Sequence, residues 1–227
     1  MPPIILLNTN RSVAAPSSKN KILKKIRKAL TQSTPLPFPD RKAEDPIVPP
    51  QETELEVQFA EEFSKLQGKF VFCLNTDELL YHLTQLTSHE QWKEIYCSEQ
   101  PLQQLFTAKG FSFNPALALK DADVSITLCE CLVARTGTIV MSAAQQHGRT
   151  SGVYAPVHVC IAYTNQLVYD VSNAFNLLQT KYGDQLPSLI NFASGPSRTA
   201  DIEKTLVVGV HGPKEVYVFL VDDSLAH

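Results

Sequence analysis

The chain has 227 residues, 44% of them hydrophobic and 19% charged, with a formal net charge of -3. That size fits one core domain with an additional arm, and that composition fits an ordinary globule whose core needs no staples. The balance excludes a general nucleic-acid binder, which carries a basic excess, and no run of about 18 apolar residues is present to span a membrane.

The start, "MPPIILLNTNR", lacks the basic region and the length of a signal peptide, so a cytoplasmic protein is expected. The first element expected is a helix over 19–30, "KNKILKKIRKAL". Ile22, Leu23, Ile26 and Leu30 recur there at helical spacing, with lysines and an arginine on the other face. Such a basic amphipathic helix docks on its own domain, a sister subunit, a partner or a membrane surface. Residues 31–50 hold Pro35, Pro37, Pro39, Pro46, Pro49 and Pro50 and read as an extended linker. The expected division is therefore an arm over 1–50 and an α/β domain over 51–227.

"ETELEVQFAEEFSKLQG" puts Leu55, Phe59, Phe63 and Leu66 on one helical face and stops at Gly68. "KFVFCL" is a short apolar strand, and "TDELLYHLTQL" a helix with Thr76 as its expected N-cap. "EIYCS" reads as strand and "EQPLQQLFTAKG" as a helix ending at Gly110. Three β-rich runs follow: "DVSITLCECLVA", "TGTIVMSA" and "VHVCIAYTNQLV". Then come a helix, "VSNAFNLLQTKYG", a strand, "LPSLINFAS", a short helix, "DIEKTLVVGV", and a last strand, "KEVYVFLVDD". Strand and helix alternate at both ends, so the sheet is expected to be covered on both faces, with a hairpin or side sheet grafted on by the middle strands.

Four loops gather residues suited to chemistry. They are "ARTGT" (Ala134 to Thr138), "QQHGRTSG" (Gln145 to Gly152), "SGPSRTADIE" (Ser194 to Glu203) and "GVHGP" (Gly209 to Pro213). Ligands of open α/β sheets bind beyond the carboxyl ends of strands, where glycines bring backbone amides close and a helix N-terminus adds its positive end. The third loop fits that design. Gly195 permits an unusual turn, Ser197 and Thr199 offer hydroxyls and caps, and Arg198 gives a planar cationic fork suited to carboxylate or phosphate. Asp201 falls in the first turn of the expected helix. The bland alternative is that the turn is only a helix cap. The candidate ligand-binding set is Thr136, Gly137, Thr138, Gly148, Arg149, Gly195, Ser197, Arg198, Thr199, Asp201, His211 and Gly212.

Other polar groups fall inside apolar runs. His158 reads as a hydrogen-bonded core residue, whereas His211, in a loop, is open to a ligand. Glu130, flanked by Cys129 and Cys131, is a costly buried carboxylate unless paired; a raised pKa there would serve acid–base or acyl chemistry, and the solvent face is the other reading. The five cysteines are odd in number, form no CxxC and read as buried free thiols, so no zinc or iron–sulfur site is signalled. No GxSxG, P-loop, GxGxxG or HExxH pattern occurs, and no catalytic residue is assigned.

Taken together, "TGTIV", "HGR", "PVHVCIAY", "SGPSRTADIEKTLVVGVHGP" and "VYVFLVDD" in that order resemble the LUD-domain family over roughly residues 52–223. The basic helix and proline-rich segment resemble the family's N-terminal arm. The resemblance implies a NagB/RpiA/CoA-transferase-like α/β sheet flanked by helices, with a small added β hairpin. It implies a chain without a cofactor of its own that works with iron–sulfur partner proteins in oxidising L-lactate to pyruvate; the small anionic ligand is the expectation from the Arg198 turn. Where the family often has an acid before "TGT", this chain has Arg135, a cation that favours an anionic ligand. A stand-alone transferase or cyclo-ligase-like enzyme acting on a phosphate- or CoA-bearing substrate is the alternative, and a scaffolding module a third.

Overall fold

The structure, a computed structural model, describes residues 18–31, 50–200, 206–209 and 211–223. The chain divides into two units between Ile47 and Val48. In the first, the described residues are α1 (Ser18–Leu30) and Thr31. Arg27 and Lys28 occupy the last turn of α1, where cations meet the negative end of the helix dipole. Ile22, Leu23 and Ile26 lie exposed along it. The proline-rich stretch 32–49 lies outside the described residues.

The second unit opens with the expected alternation: α2 (Leu55–Lys65), β1 (Lys69–Cys73), α3 (Thr76–Glu90), β2 (Ile95–Tyr96), α4 (Gln100–Lys109) and β3 (Val124–Thr127). α3 is capped one residue earlier than the sequence reading placed it. Asn75, in extended backbone, accepts a hydrogen bond from the Glu78 amide at 2.9 Å on its side-chain carbonyl, and Thr76 is already helical. β4 (Cys131–Val133), β5 (Thr138–Ser142), α5 (Ser151–Tyr154), β6 (Val157–Tyr163), β7 (Leu167–Val168), α6 (Val171–Tyr182) and β8 (Ile190–Ala193) come next. β9 (Arg198–Ala200), β10 (Leu206–Val208) and β11 (Glu215–Val221) complete the described elements.

Five strands form an all-parallel sheet in the order β1-β11-β6-β3-β2. Period-two alternation sends Tyr217, Phe219, Val221, Val159, Ile161, Val124 and Ile126 to one face, where α3 and α4 cover them with Leu79, Leu83, Leu102 and Phe106. The other face carries Val216, Val218, Leu220, Cys160 and Ala162 and meets Phe59 and Phe63 of α2. It also meets Leu132, Ile139 and Met141 of a second sheet, ordered β7-β4-β5-β8. α6 closes the far side of that second sheet through Ala174 and Leu178. The expected graft is thus a four-stranded mixed sheet rather than a lone hairpin.

Two readings change. The run 123–134, expected as one β-rich run, is two strands in two sheets. Cys129 sits in the link and packs toward α2, while Cys131 opens β4 and packs toward α6. The helix expected over "DIEKTLVVGV" is absent where the residues are described: Leu206–Val208 is a strand paired antiparallel with Arg198–Ala200. The segment Leu206–Val208 satisfies its backbone groups by pairing with β9. Residues 201–205, with Asp201, lie outside the described residues.

Candidate functional site

The third loop leaves the carboxyl end of β8, but it comes to rest at the amino ends of the parallel strands. The Ser197 amide donates to the Pro213 carbonyl at 2.9 Å, just before β11, and the Gly209 amide donates to the Ser197 carbonyl at 3.0 Å. Gly212 is pressed against Ser197, and a Cβ on it would lie 2.8 Å from the serine Cβ. The third and fourth loops are therefore one layer. That layer lies at the opposite end of the sheet from where the general rule for α/β ligands placed it.

The first loop joins the same layer through hydroxyls. Thr136 and Thr138 share a hydrogen bond of 2.8 Å between their Oγ1 atoms, and Thr138 Oγ1 shares another of 2.7 Å with Ser194 Oγ. Both loops close on the end of α2. Gly137 has φ of 55°, and a Cβ there would fall 2.5 Å from the Phe63 amide nitrogen. Gly195 has φ of 78°, and its Cβ would fall 2.7 Å from the Leu66 carbonyl oxygen. Each glycine combines a left-handed backbone with direct contact to a helix, so both requirements exclude a side chain.

Arg198 is the cation of this layer. It is exposed, and one guanidinium nitrogen donates to the Leu66 carbonyl at 2.7 Å and to Gln67 Oε1 at 3.2 Å. It thus sits on the carboxyl end of α2, the negative pole of that helix. Among the described residues no helix N-terminus stands beside it: residues 198–200 and 206–208 are strand, and Asp201, where that helix was expected to begin, lies outside them. His211 is exposed in the adjoining loop, as its sequence position implied. Thr199 lies within β9.

Gly148 and Arg149 stand apart from that layer. Arg149 donates to Ser188 Oγ at 2.6 Å, ahead of β8, so it lies at the other end of the β5–β8 pair from the hydroxyl chain. Arg135 is not free to meet an anion either. Its Nε and one NH2 donate to Asp170 Oδ1 at 2.7 and 2.5 Å. Burial alone pushes the Asp170 carboxyl up, but Arg135, the Val171 amide and the Ser172 hydroxyl together hold it below its ordinary value. Asp170 is also the N-cap of α6, in a reciprocal box with Asn173. Arg135 therefore clamps the β4–β5 turn to that helix. Arg135→Ala is expected to lower the urea stability by about 1–2 kcal/mol at neutral pH, with native circular dichroism retained.

A second polar cluster fills the corner where the two sheets meet beside β3. Glu130 is buried and accepts from Ser142 Oγ at 2.5 Å, Tyr182 OH at 2.7 Å and Lys181 Nζ at 2.7 Å. Burial alone would raise its pKa; the bonds from Lys181, Ser142 and Tyr182 instead bring it below the usual range. Glu130 is thus the paired buried carboxylate rather than a solvent-facing one, and with three donors it does not have the raised pKa that acid–base or acyl chemistry would use. Glu99, nearby, is raised by burial, opposed by the Leu128 amide and reinforced by Glu130. His147 is buried and lowered by burial; its Nδ1 faces the Gly148 carbonyl and its Nε2 faces Gln145 Oε1, both at 3.1 Å. His158 is a core residue, bonded to Thr127 Oγ1 at 2.8 Å. All five cysteines are free and buried.

Of this corner, sequence reasoning singled out Glu130, His158 and the "HGR" stretch and missed Glu99, Lys181 and Tyr182. The last two end a helix whose apolar spacing gave no hint of a carboxylate beneath it. Among the described residues, no group of three or more histidine, cysteine, aspartate or glutamate side chains is arranged to hold a metal ion.

A model of the LUD domain family matches residues 116–221, which take in every strand from β3 to β11. That segment of the chain is similar to the LUD domain. Lactate utilization protein C 1 of Bacillus mycoides (strain KBAB4) is 39% identical over 107 residues, 46% of each chain. Lactate utilization protein C of Halalkalibacterium halodurans is 39% identical over 106 residues, again 46% of each. The chain spans about half the length of the curated relatives it matches. A crystal structure of a DUF162 family protein from Deinococcus radiodurans superposes with a TM-score of 0.56 at 18% identity, covering 76% of this chain and 99% of that one. That likeness speaks to the fold alone. Within the matched segment lie the loops of the layer and, of the polar corner, Glu130, Ser142, His147, Lys181 and Tyr182, whereas Glu99 lies before it. The α2 terminus that closes the layer lies before the matched segment. No helix among the described residues is long and apolar enough to cross a membrane.

Proposed function

We propose that this chain serves in lactate utilization as a subunit without a metal cluster of its own, beside iron–sulfur partner proteins that take electrons from L-lactate. The observation that carries the reading is the LUD match together with the relatives named lactate utilization protein C. The cysteine chemistry supports the division of labour. The five cysteines are free and buried, and their spacing contains no CxxC of the kind that ligates clusters. The role is tested by purifying tagged protein from native cells grown on lactate. Iron and L-lactate-dependent dye reduction are expected in the eluate and not in the isolated chain. A single clean protein without either would leave only the name of its relatives.

The ligand in this reading is a small carboxylate at the loop layer, held by the Arg198 guanidinium beside the Thr136, Thr138 and Ser194 hydroxyls, with His211 at the edge. Exposure of Arg198 and His211 on one layer supports it. Titration calorimetry with L-lactate and pyruvate is expected to show binding that Arg198→Ala weakens on the order of tenfold or more. Arg198→Lys keeps the charge but loses the fork, and an intermediate loss is expected. Equal affinity in the alanine variant would remove Arg198 from the site.

A further inference from the structure

We propose that α1 of one copy docks in an acidic groove beside α2 of a second copy, each copy giving its helix and receiving the other's in a two-fold dimer. The groove, of about 590 Å³, lies between α2 and β1, the edge strand of the parallel sheet. Val57, Ala60, Phe70 and Phe72 make its apolar floor, and Val57 and Phe72 are exposed. Large apolar side chains gathered in a groove mark an interaction surface rather than scattered exposure. The charged groups lining it are all acidic: Glu54, Glu56, Glu61 and Asp222. Glu54, Glu56 and Glu61 enter no salt bridge among the described residues. The lysines of this region are already taken. Lys65 pairs with Glu62 at 2.7 Å and Lys69 with Glu215 at 2.5 Å, and Glu61 is only a minor influence on Lys65.

α1 carries the complement. Lys19, Lys21, Lys24, Lys25, Arg27 and Lys28 give it six cations, and "SKNKILKKIRKAL" holds no carboxylate. None of these cations enters a salt bridge among the described residues. Ile22, Leu23 and Ile26 are exposed, and at helical spacing they fall within an arc of about 100°. Lys21 and Lys25 flank that arc on one side and Arg27 on the other.

Charge selects this pairing over the others that a second copy offers. Groove against groove sets carboxylates together, and helix against helix sets lysines together. Helix on groove alone joins opposite signs. In that arrangement the α1 stripe lies on the Val57 and Phe72 floor, while the cations at its flanks meet the Glu54, Glu56 and Glu61 carboxylates. Two exposed apolar surfaces leave water at once, which favours the contact. Each copy owns one such helix and one such groove, so the reciprocal exchange about a two-fold axis closes at two copies rather than growing into a filament.

The full chain is tested by sedimentation equilibrium at micromolar loading, with three variants. The wild type is expected to sediment at twice the chain mass. Lys21→Glu, Lys25→Glu and Arg27→Glu together reverse the flanks of the helix. Glu54→Lys with Glu61→Lys reverses the groove, and all five positions are exposed. Either set alone places like charges together and is expected to weaken the dimer on the order of tenfold or more. Both sets in one chain restore opposite signs, so most of the lost affinity is expected to return. Substitutions acting independently would add their losses instead of cancelling them. Circular dichroism establishes that each variant is folded. A monomeric wild type, a dimer indifferent to either set, or a combined variant no tighter than the separate ones would each overturn the docking; the first would leave the groove to a basic segment of a different protein.

Discussion

Lowering the pH from 6.5 toward 3 is expected to destabilise the protein by about 1.4 kcal/mol per pH unit through His158 alone. Burial, helped by the neighbouring His147, drops its pKa to about 3. The imidazole is therefore neutral in the fold, where it shares one bond with the Thr127 hydroxyl. Once unfolded, the ring takes up a proton near pH 6.5. Between those two values the unfolded state binds more protons, so stability falls as pH falls; above pH 6.5 and below about 3 the contribution is flat. His147 acts in the same direction, since burial lowers it too. Glu99 acts in the opposite direction. Its raised pKa means the fold holds a proton that the unfolded chain has released, so its contribution improves as the solution is acidified. Histidine titration begins about two units above ordinary carboxylates, so the window from pH 6.5 to 5 isolates it. Urea unfolding at pH 7, 6 and 5 measures the slope. His158→Gln keeps a partner for Thr127 and removes the titration, so its slope is expected to be shallower by about one proton. An unchanged slope would mean that His158 does not carry the acid sensitivity.

The distance from sequence to structure differs by kind of feature. The strands β1, β3, β5, β6 and β11 and the helices α2, α3, α4 and α6 were legible because each is a local pattern of apolar spacing and turn residues. The direction of the β9–β10 segment was not. "DIEKTLVVGV" offers acidic and basic residues in helical order followed by β-branched ones, and a strand partner lying a few residues upstream decided between them. The loop motifs were legible as a set, but their neighbour was not. Nothing around Gly137, Gly195 or Arg198 announces the end of α2, which Arg198 reaches across 132 positions in the chain. That single tertiary fact turns an expected positive helix end into a negative one, and it changes what Arg198 is bound to before any ligand arrives. Arg135 shows the same limit. Its cation was plain in the sequence; the Asp170 that neutralises it lies 35 positions away.

Replacing Lys181 by Met is expected to cost about 3 kcal/mol or more at pH 7, far beyond an ordinary surface substitution. The lysine is half exposed, and the reason lies beneath it. Glu130 has no exposed side-chain surface, and Lys181 supplies the opposing charge. Ser142 and Tyr182 would still donate, but two neutral donors do not offset a full charge held out of water. Glu130→Gln is expected to destabilise by a similar amount for a different reason. The amide nitrogen would face the Lys181 ammonium, donor against donor, although the oxygen could still serve the hydroxyls. The double variant Lys181→Met with Glu130→Gln removes both charges and is expected to be more stable than the sum of the single losses, by about 1–3 kcal/mol. The pH profile adds a second check. Glu130 is held below its ordinary pKa, so its contribution is complete above about 4.5 and disappears as the pH falls through the folded value. The cluster joins the entry of β4 and the exit of β5 to the last turn of α6, with the Glu130 amide also donating to Val140 at 2.7 Å. Its loss should therefore loosen the second sheet before the parallel one. Hydrogen exchange in Lys181→Met is expected to rise first in β4, β5 and β8, while β6 and β11 keep their protection. Uniform loss across both sheets, or additive single losses, would show that the carboxylate is not what staples the second sheet to α6.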